Sequence, residues 1–67
     1  MMTLREAVTR LGGMEATCAQ IDVRMRTLQR WVRDGRVRDG AAAVRLAEAT
    51  TRGAGRRWHA VRVFLGA

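Results

Sequence analysis

Glycines at Gly12, Gly13, Gly35, Gly40, Gly53, Gly55 and Gly66 punctuate a 67-residue chain that has no proline. They cut it into segments that allow only short elements. Within those segments the apolar residues take helical spacing. Thr3-Leu4-Arg5-Glu6 has the form of a capping box, with Thr3 placed to accept from the Glu6 amide while Glu6 reaches back. Leu4, Ala7, Val8 and Leu11 stand at i, i+3, i+4 and i+7, and Gly12 stands where a left-handed closing residue belongs. A second helix is expected from about Met14 to Gln20 or Ile21, and a third from about Met25 to Asp34, closed by Gly35. Asp39 can cap a fourth, Gly40 to about Thr51, which Gly53-Ala54-Gly55 stops. From Arg56 to Leu65 the pattern changes to a loose alternation, with Trp58, Ala60, Arg62 and Phe64 against His59, Val61, Val63 and Leu65. The expected fold class is all-α: four short helices plus a C-terminal strand-like or irregular arm over about 56–67, rather than a fifth helix.

A chain of this length makes one domain, 1–67, with a marginal core. Cys18 is the single cysteine, so an intramolecular disulfide and a Cys-based zinc site are both excluded, and a reducing cytoplasm suits the count. No apolar run approaches the roughly 20 residues needed to span a bilayer. Met1-Met2-Thr3-Leu4-Arg5 lacks the apolar stretch of a signal peptide. The expectation is a soluble cytoplasmic protein without a membrane partner.

The formal net charge is +7, and all thirteen basic residues are arginine. A GC-rich coding bias accounts for arginine over lysine. It does not account for the excess over six acids or for its clustering, which together suit a polyanionic partner. The clustering is sharpest on the third helix. Met25, Leu28 and Val32 fall on one side with Trp31, while Arg26, Gln29, Arg30 and Arg33 fall on the other at i, i+3, i+4 and i+7. Arg24 precedes them in the turn. Solvated helix faces normally mix acids with bases, and this one carries no acid before Asp34. An apolar inner face with an Arg/Gln outer face suits the DNA major groove, where arginine reads guanine and glutamine can read adenine.

Met14 to Arg33 has the spacing of a helix-turn-helix of twenty residues. Cys18 supplies the small residue where the helices cross, and Asp22 stands where the chain must turn left-handed. Ile21, Val23, Leu28 and Trp31 are placed to lock the two helices together.

The segment Thr27-Leu28-Gln29-Arg30-Trp31-Val32-Arg33-Asp34-Gly35-Arg36-Val37 resembles the recognition-helix region of small phage helix-turn-helix regulators. The adjoining segment, Arg38-Asp39-Gly40-Ala41-Ala42-Ala43-Val44-Arg45-Leu46-Ala47-Glu48-Ala49-Thr50, resembles the corresponding part of Cro-like repressors. The similarity covers about Leu4 to Gly53. It implies a second helix across the DNA backbone, a third in the groove and a C-terminal segment that builds a homodimer. Carried over residue by residue, Arg24, Met25, Arg26, Gln29 and Arg30 read bases, and Arg33 and Arg36 meet phosphates. Four positions depart from the family pattern: Arg24 replaces a Ser/Thr cap, Asp22 a glycine and Thr17 an apolar residue, and the loop 36–39 lacks a proline.

The resemblance implies a dimeric transcriptional repressor on a palindromic operator, of the kind that autoregulates a phage or mobile-element operon in a bacterial host, including anti-CRISPR-associated repressors. An excisionase-type accessory factor, with a similar Trp-x-x-x-Gly stretch, and a protein–protein inhibitor of a host complex are the alternatives. Trp58, Val61, Val63, Phe64 and Leu65 exceed what four helices can cover and are the expected dimer surface. Cys18 reads as a small buried hydrophobe. His59 has no companion at metal-ligand spacing. Glu6, Glu15 and Glu48 form no catalytic group, so no enzyme, cofactor or metal is expected. Arg52, Arg56 and Arg57 suit either phosphate contact or solubility. With no separate ligand-binding domain, no small-molecule effector is expected.

Overall fold

The computed structural model describes residues 2–66 and contains five helices and no strand among them. They are α1 (Leu4–Arg10), α2 (Met14–Ile21), α3 (Met25–Asp34), α4 (Gly40–Thr50) and α5 (Ala54–Leu65).

Local chemistry marks the starts of α1 and α4 and the end of α3, while α2 and α3 begin without a side-chain cap. Thr3 Oγ1 accepts from the Glu6 amide at 3.2 Å, one half of the expected capping box. Asp39 accepts from the Ala41 and Ala42 amides at 2.9 and 3.4 Å and so opens α4. Gly35, at φ 79°, closes α3: the Arg36 amide reaches back to the Trp31 carbonyl at 3.1 Å, and the Gly35 amide to Val32 at 3.3 Å. That paired closure needs a left-handed residue, which glycine adopts without a Cβ clash.

The expectation of a strand-like or irregular arm over 56–67, and of only four helices, is overturned by α5. Arg57, Ala60, Val61 and Phe64 stand at i, i+3, i+4 and i+7, the spacing that marks α1. Ala60, Val61 and Phe64 are buried and Arg57 is half-buried. Burial of that stripe outweighs the weak strand preference of the valines. Gly55, read as a stop, lies inside the first turn of α5.

The core gathers Leu4, Ala7 and Val8 from α1, Ile21 from α2, Leu28 and Trp31 from α3, Ala42, Ala43, Leu46 and Ala47 from α4, and the buried face of α5, with Val37 from the connecting loop. The helix α4 packs most extensively on α5 and also meets α1 and α2, while α3 rests on α2. Small alanines on α4 allow this close approach on several sides. The Cα radius of gyration is 10.3 Å, against about 11 Å for a compact domain of this length. No helix is long and apolar enough to cross a membrane.

Candidate nucleic-acid interface

Three residues, Asp22, Val23 and Arg24, join α2 to α3. Asp22 adopts φ 58° and ψ 54°, the left-handed turn expected of it, and is the only non-glycine residue with positive φ among the described residues. The Val23 amide returns to the Cys18 carbonyl at 3.1 Å and tightens the turn. A residue not singled out in the sequence supports it from outside. Arg45 on α4 donates through Nε to the Ile21 carbonyl at 2.8 Å. A cation on that carbonyl satisfies an orphan acceptor and complements the negative end of α2.

Thr17, not Cys18, is the small residue packed fully inside α2, with 0% of its surface exposed. Its hydroxyl donates to the Gly13 carbonyl at 2.7 Å, so the polar group stands satisfied where an apolar residue was expected. Cys18 is half-buried beside the core. Desolvation, reinforced by the Glu15 carboxylate, raises its thiol above the ordinary value and keeps it protonated at neutral pH.

On α3 the two faces separate as the spacing implies. Leu28 and Trp31 are buried and Val32 packs partly against the core. At about 100° per residue, Arg26, Gln29, Arg30 and Arg33 centre on the direction opposite Leu28 and Trp31. All four are exposed and border one open depression of about 310 Å³. Arg24 is also exposed and begins α3 without a side-chain cap, in keeping with the missing Ser/Thr. Met25 is half-buried and lies between the two faces. Arg36 is exposed beyond the helix end, outside the depression, and its stem runs close over Gly66.

The neighbouring acid, Asp34, sits between two arginines, with Nε of Arg33 at 3.6 Å and Nε of Arg38 at 3.8 Å. Exposed pairs of this length hold side chains only weakly. The Arg33 side chain is 77% exposed and still free to engage a partner.

The expected dimer residues divide. Phe64, at 1% exposure, and Val61 belong to the chain's own core, while Val63 and Leu65 are half-buried. Trp58 is 65% exposed. Among the described residues no group of three or more His, Cys, Asp and Glu could hold a metal ion. Compared with protein-family models, with curated proteins and with solved structures, the chain finds no significant match.

Proposed function

We propose that the chain is a sequence-specific DNA-binding protein in which α2 and α3 act as a helix-turn-helix and α3 enters the major groove. One observation carries this reading. An arginine- and glutamine-bearing face, free of acids, lies on α3 directly opposite the Leu28 and Trp31 anchors that fix the helix to the body. Buried anchors restrict how far α3 can roll, so Arg26, Gln29 and Arg30 reach base edges in one register. Arg24 adds a contact at the start of the helix, with Met25 offering apolar surface to a thymine methyl. Arg33 and Arg36 track the phosphates.

Groove contacts from one short helix give limited discrimination. Two copies on half-sites about 34 Å apart give useful specificity and a palindromic site. Bound over a promoter, such a dimer represses by blocking polymerase, and autoregulation in a phage or mobile-element operon is the setting that suits its size. The dimer face proposed here is Trp58 with Leu65, because Val61 and Phe64 are engaged within the protomer.

Selection of the full chain against a randomised duplex pool tests the reading. The expected product is a consensus with two-fold symmetry. On that site Arg26→Ala and Arg30→Ala each lose about 1–3 kcal/mol and relax base preference. Arg33→Ala and Arg36→Ala weaken binding on every sequence and lower the salt slope by about one. Equal losses on consensus and random DNA for all four variants would reduce α3 to a phosphate-binding surface. An asymmetric site bent on binding would favour the accessory-factor alternative.

A further inference from the structure

An open cavity of about 580 Å³, as exposed to solvent as the depression on α3, lies among α1, the end of α4 and the start of α5. It is bordered by Arg10, Arg52, Arg56 and His59 over a floor that includes Met2 and Ala60, with Thr50 and Thr51 at the edge. No residue of α2 or α3 takes part, so it is separate from the arginine face of α3. Its volume is comparable to that of small-molecule sites, roughly 300–1,000 Å³, although it is open to solvent on one side.

Three features define what it could hold. Arg10, Arg52 and Arg56 make no ion pair among the described residues, and no acid borders the cavity: Glu6, one turn from Arg10, is not part of its lining, and Glu48, two residues from Thr50, lines a different depression with Gln20 and Arg45. Three unpaired arginines on the border of one depression favour a phosphate, which guanidiniums can grip bidentately. The apolar floor favours a flat apolar body attached to that phosphate. The threonine hydroxyls supply the third feature. Thr50 Oγ1 donates to the Leu46 carbonyl at 2.8 Å and Thr51 Oγ1 to the Ala47 carbonyl at 2.6 Å. With their protons committed, both oxygens can only accept, which suits a ligand that carries hydroxyl or amino donors.

We propose that this cavity binds a nucleoside phosphate. The phosphate lies against Arg10, Arg52 and Arg56, the base rests over Met2 and Ala60, and sugar or base donors meet Thr50 and Thr51. The site does not depend on the DNA-binding reading, and it gives the chain a place for a small effector. It also lies on a different side of α5 from Trp58. At about 100° per residue, Arg56, His59 and Ala60 stand roughly 100–160° from Trp58 and only Gly55 lies near it, at about 60°, so a contact through Trp58 leaves the arginine border of the cavity accessible.

Titration calorimetry of the full chain with AMP, adenosine and inorganic phosphate tests the proposal. AMP is expected to bind saturably at one site, with adenosine and inorganic phosphate each at least tenfold weaker. Arg52→Ala combined with Arg56→Ala should weaken AMP at least tenfold, while Arg26→Ala combined with Arg30→Ala leaves it unchanged. A steric variant separates the cavity from general charge. Gly55 has an ordinary helical φ, and an added Cβ there meets nothing within 4 Å. Gly55→Leu therefore keeps the fold and every charge but adds bulk at the mouth, and it should abolish AMP binding with a melting temperature that holds or rises, since leucine favours the helix over glycine. Equal weakening by the α3 variants, equal affinity for inorganic phosphate, or full binding by Gly55→Leu would each overturn the proposal. So would an absence of AMP binding together with loss of duplex binding in the Arg52/Arg56 variant, which would make the cavity part of a polyanion surface.

Discussion

Asp22 has a backbone conformation that its side chain tolerates but does not favour. Left-handed geometry costs an L-residue roughly 1–2 kcal/mol through the Cβ, less for aspartate than for most, and nothing comparable for glycine. Its φ of 58° is imposed by the short connection between α2 and α3 and by the Val23 bond to Cys18. Asp22→Gly should therefore hold or raise stability, and Asp22→Val should lower it by about 1–2 kcal/mol with no change in helix content. Urea unfolding followed by circular dichroism measures both. Equal stability of the glycine and valine variants would mean that the turn relaxes out of the left-handed region. Thr17 makes the complementary point about legibility. The sequence marks it as a polar residue at an apolar position, but only the structure provides its acceptor, the Gly13 carbonyl one turn back.

At the scale of elements, the helix ends are legible in the sequence because their signals are local. Thr3, Asp39 and Gly35 act within four residues of themselves, and each stands where its helix begins or closes. The fifth helix is harder to read because the composition of the tail favours a strand while its spacing favours a helix. Arg57, Ala60, Val61 and Phe64 carry the helical signal, but an arginine in the first position and valines at Val61 and Val63 disguise it. What stabilises that stripe is α4, and contact between two helices is not written in either one. The role of Arg45 is hidden for the same reason, since its acceptor lies 24 residues away. That role gives an element-scale prediction. Arg45→Leu removes the donor that closes α2, and stability should fall by about 1 kcal/mol, discounted for the exposure of the side chain. Hydrogen exchange should quicken in α2 and the turn more than in α5. Uniform quickening, or none, would mean that the contact does not brace the connection on which α3 is mounted.

At the scale of the molecule, charge and apolar surface oppose each other. Each chain carries +7, so two free copies repel, and the repulsion is screened by salt or cancelled by DNA. Against this stands Trp58, 65% exposed. Leu65 comes seven residues later along the same side of α5, with Arg62 between them. A tryptophan anchor flanked by a leucine is the kind of contact that concentrates binding energy at an interface. Dimerisation through this strip should therefore strengthen with ionic strength, opposite to the response of DNA affinity. Trp58→Ala should sediment as a monomer with unchanged circular dichroism, because an exposed side chain contributes little to the core. Its affinity for a palindromic duplex should fall to that for a single half-site. Removal of residues 58–67 should act differently. It deletes Ala60, Val61 and Phe64 from the core and the Phe64 carbonyl that accepts from the Val37 amide at 2.6 Å, and the chain should lose its helical signal altogether. A full-length chain that remains a folded monomer at micromolar concentration in high salt would exclude this interface. A Trp58→Ala variant that still dimerises would move it to another face.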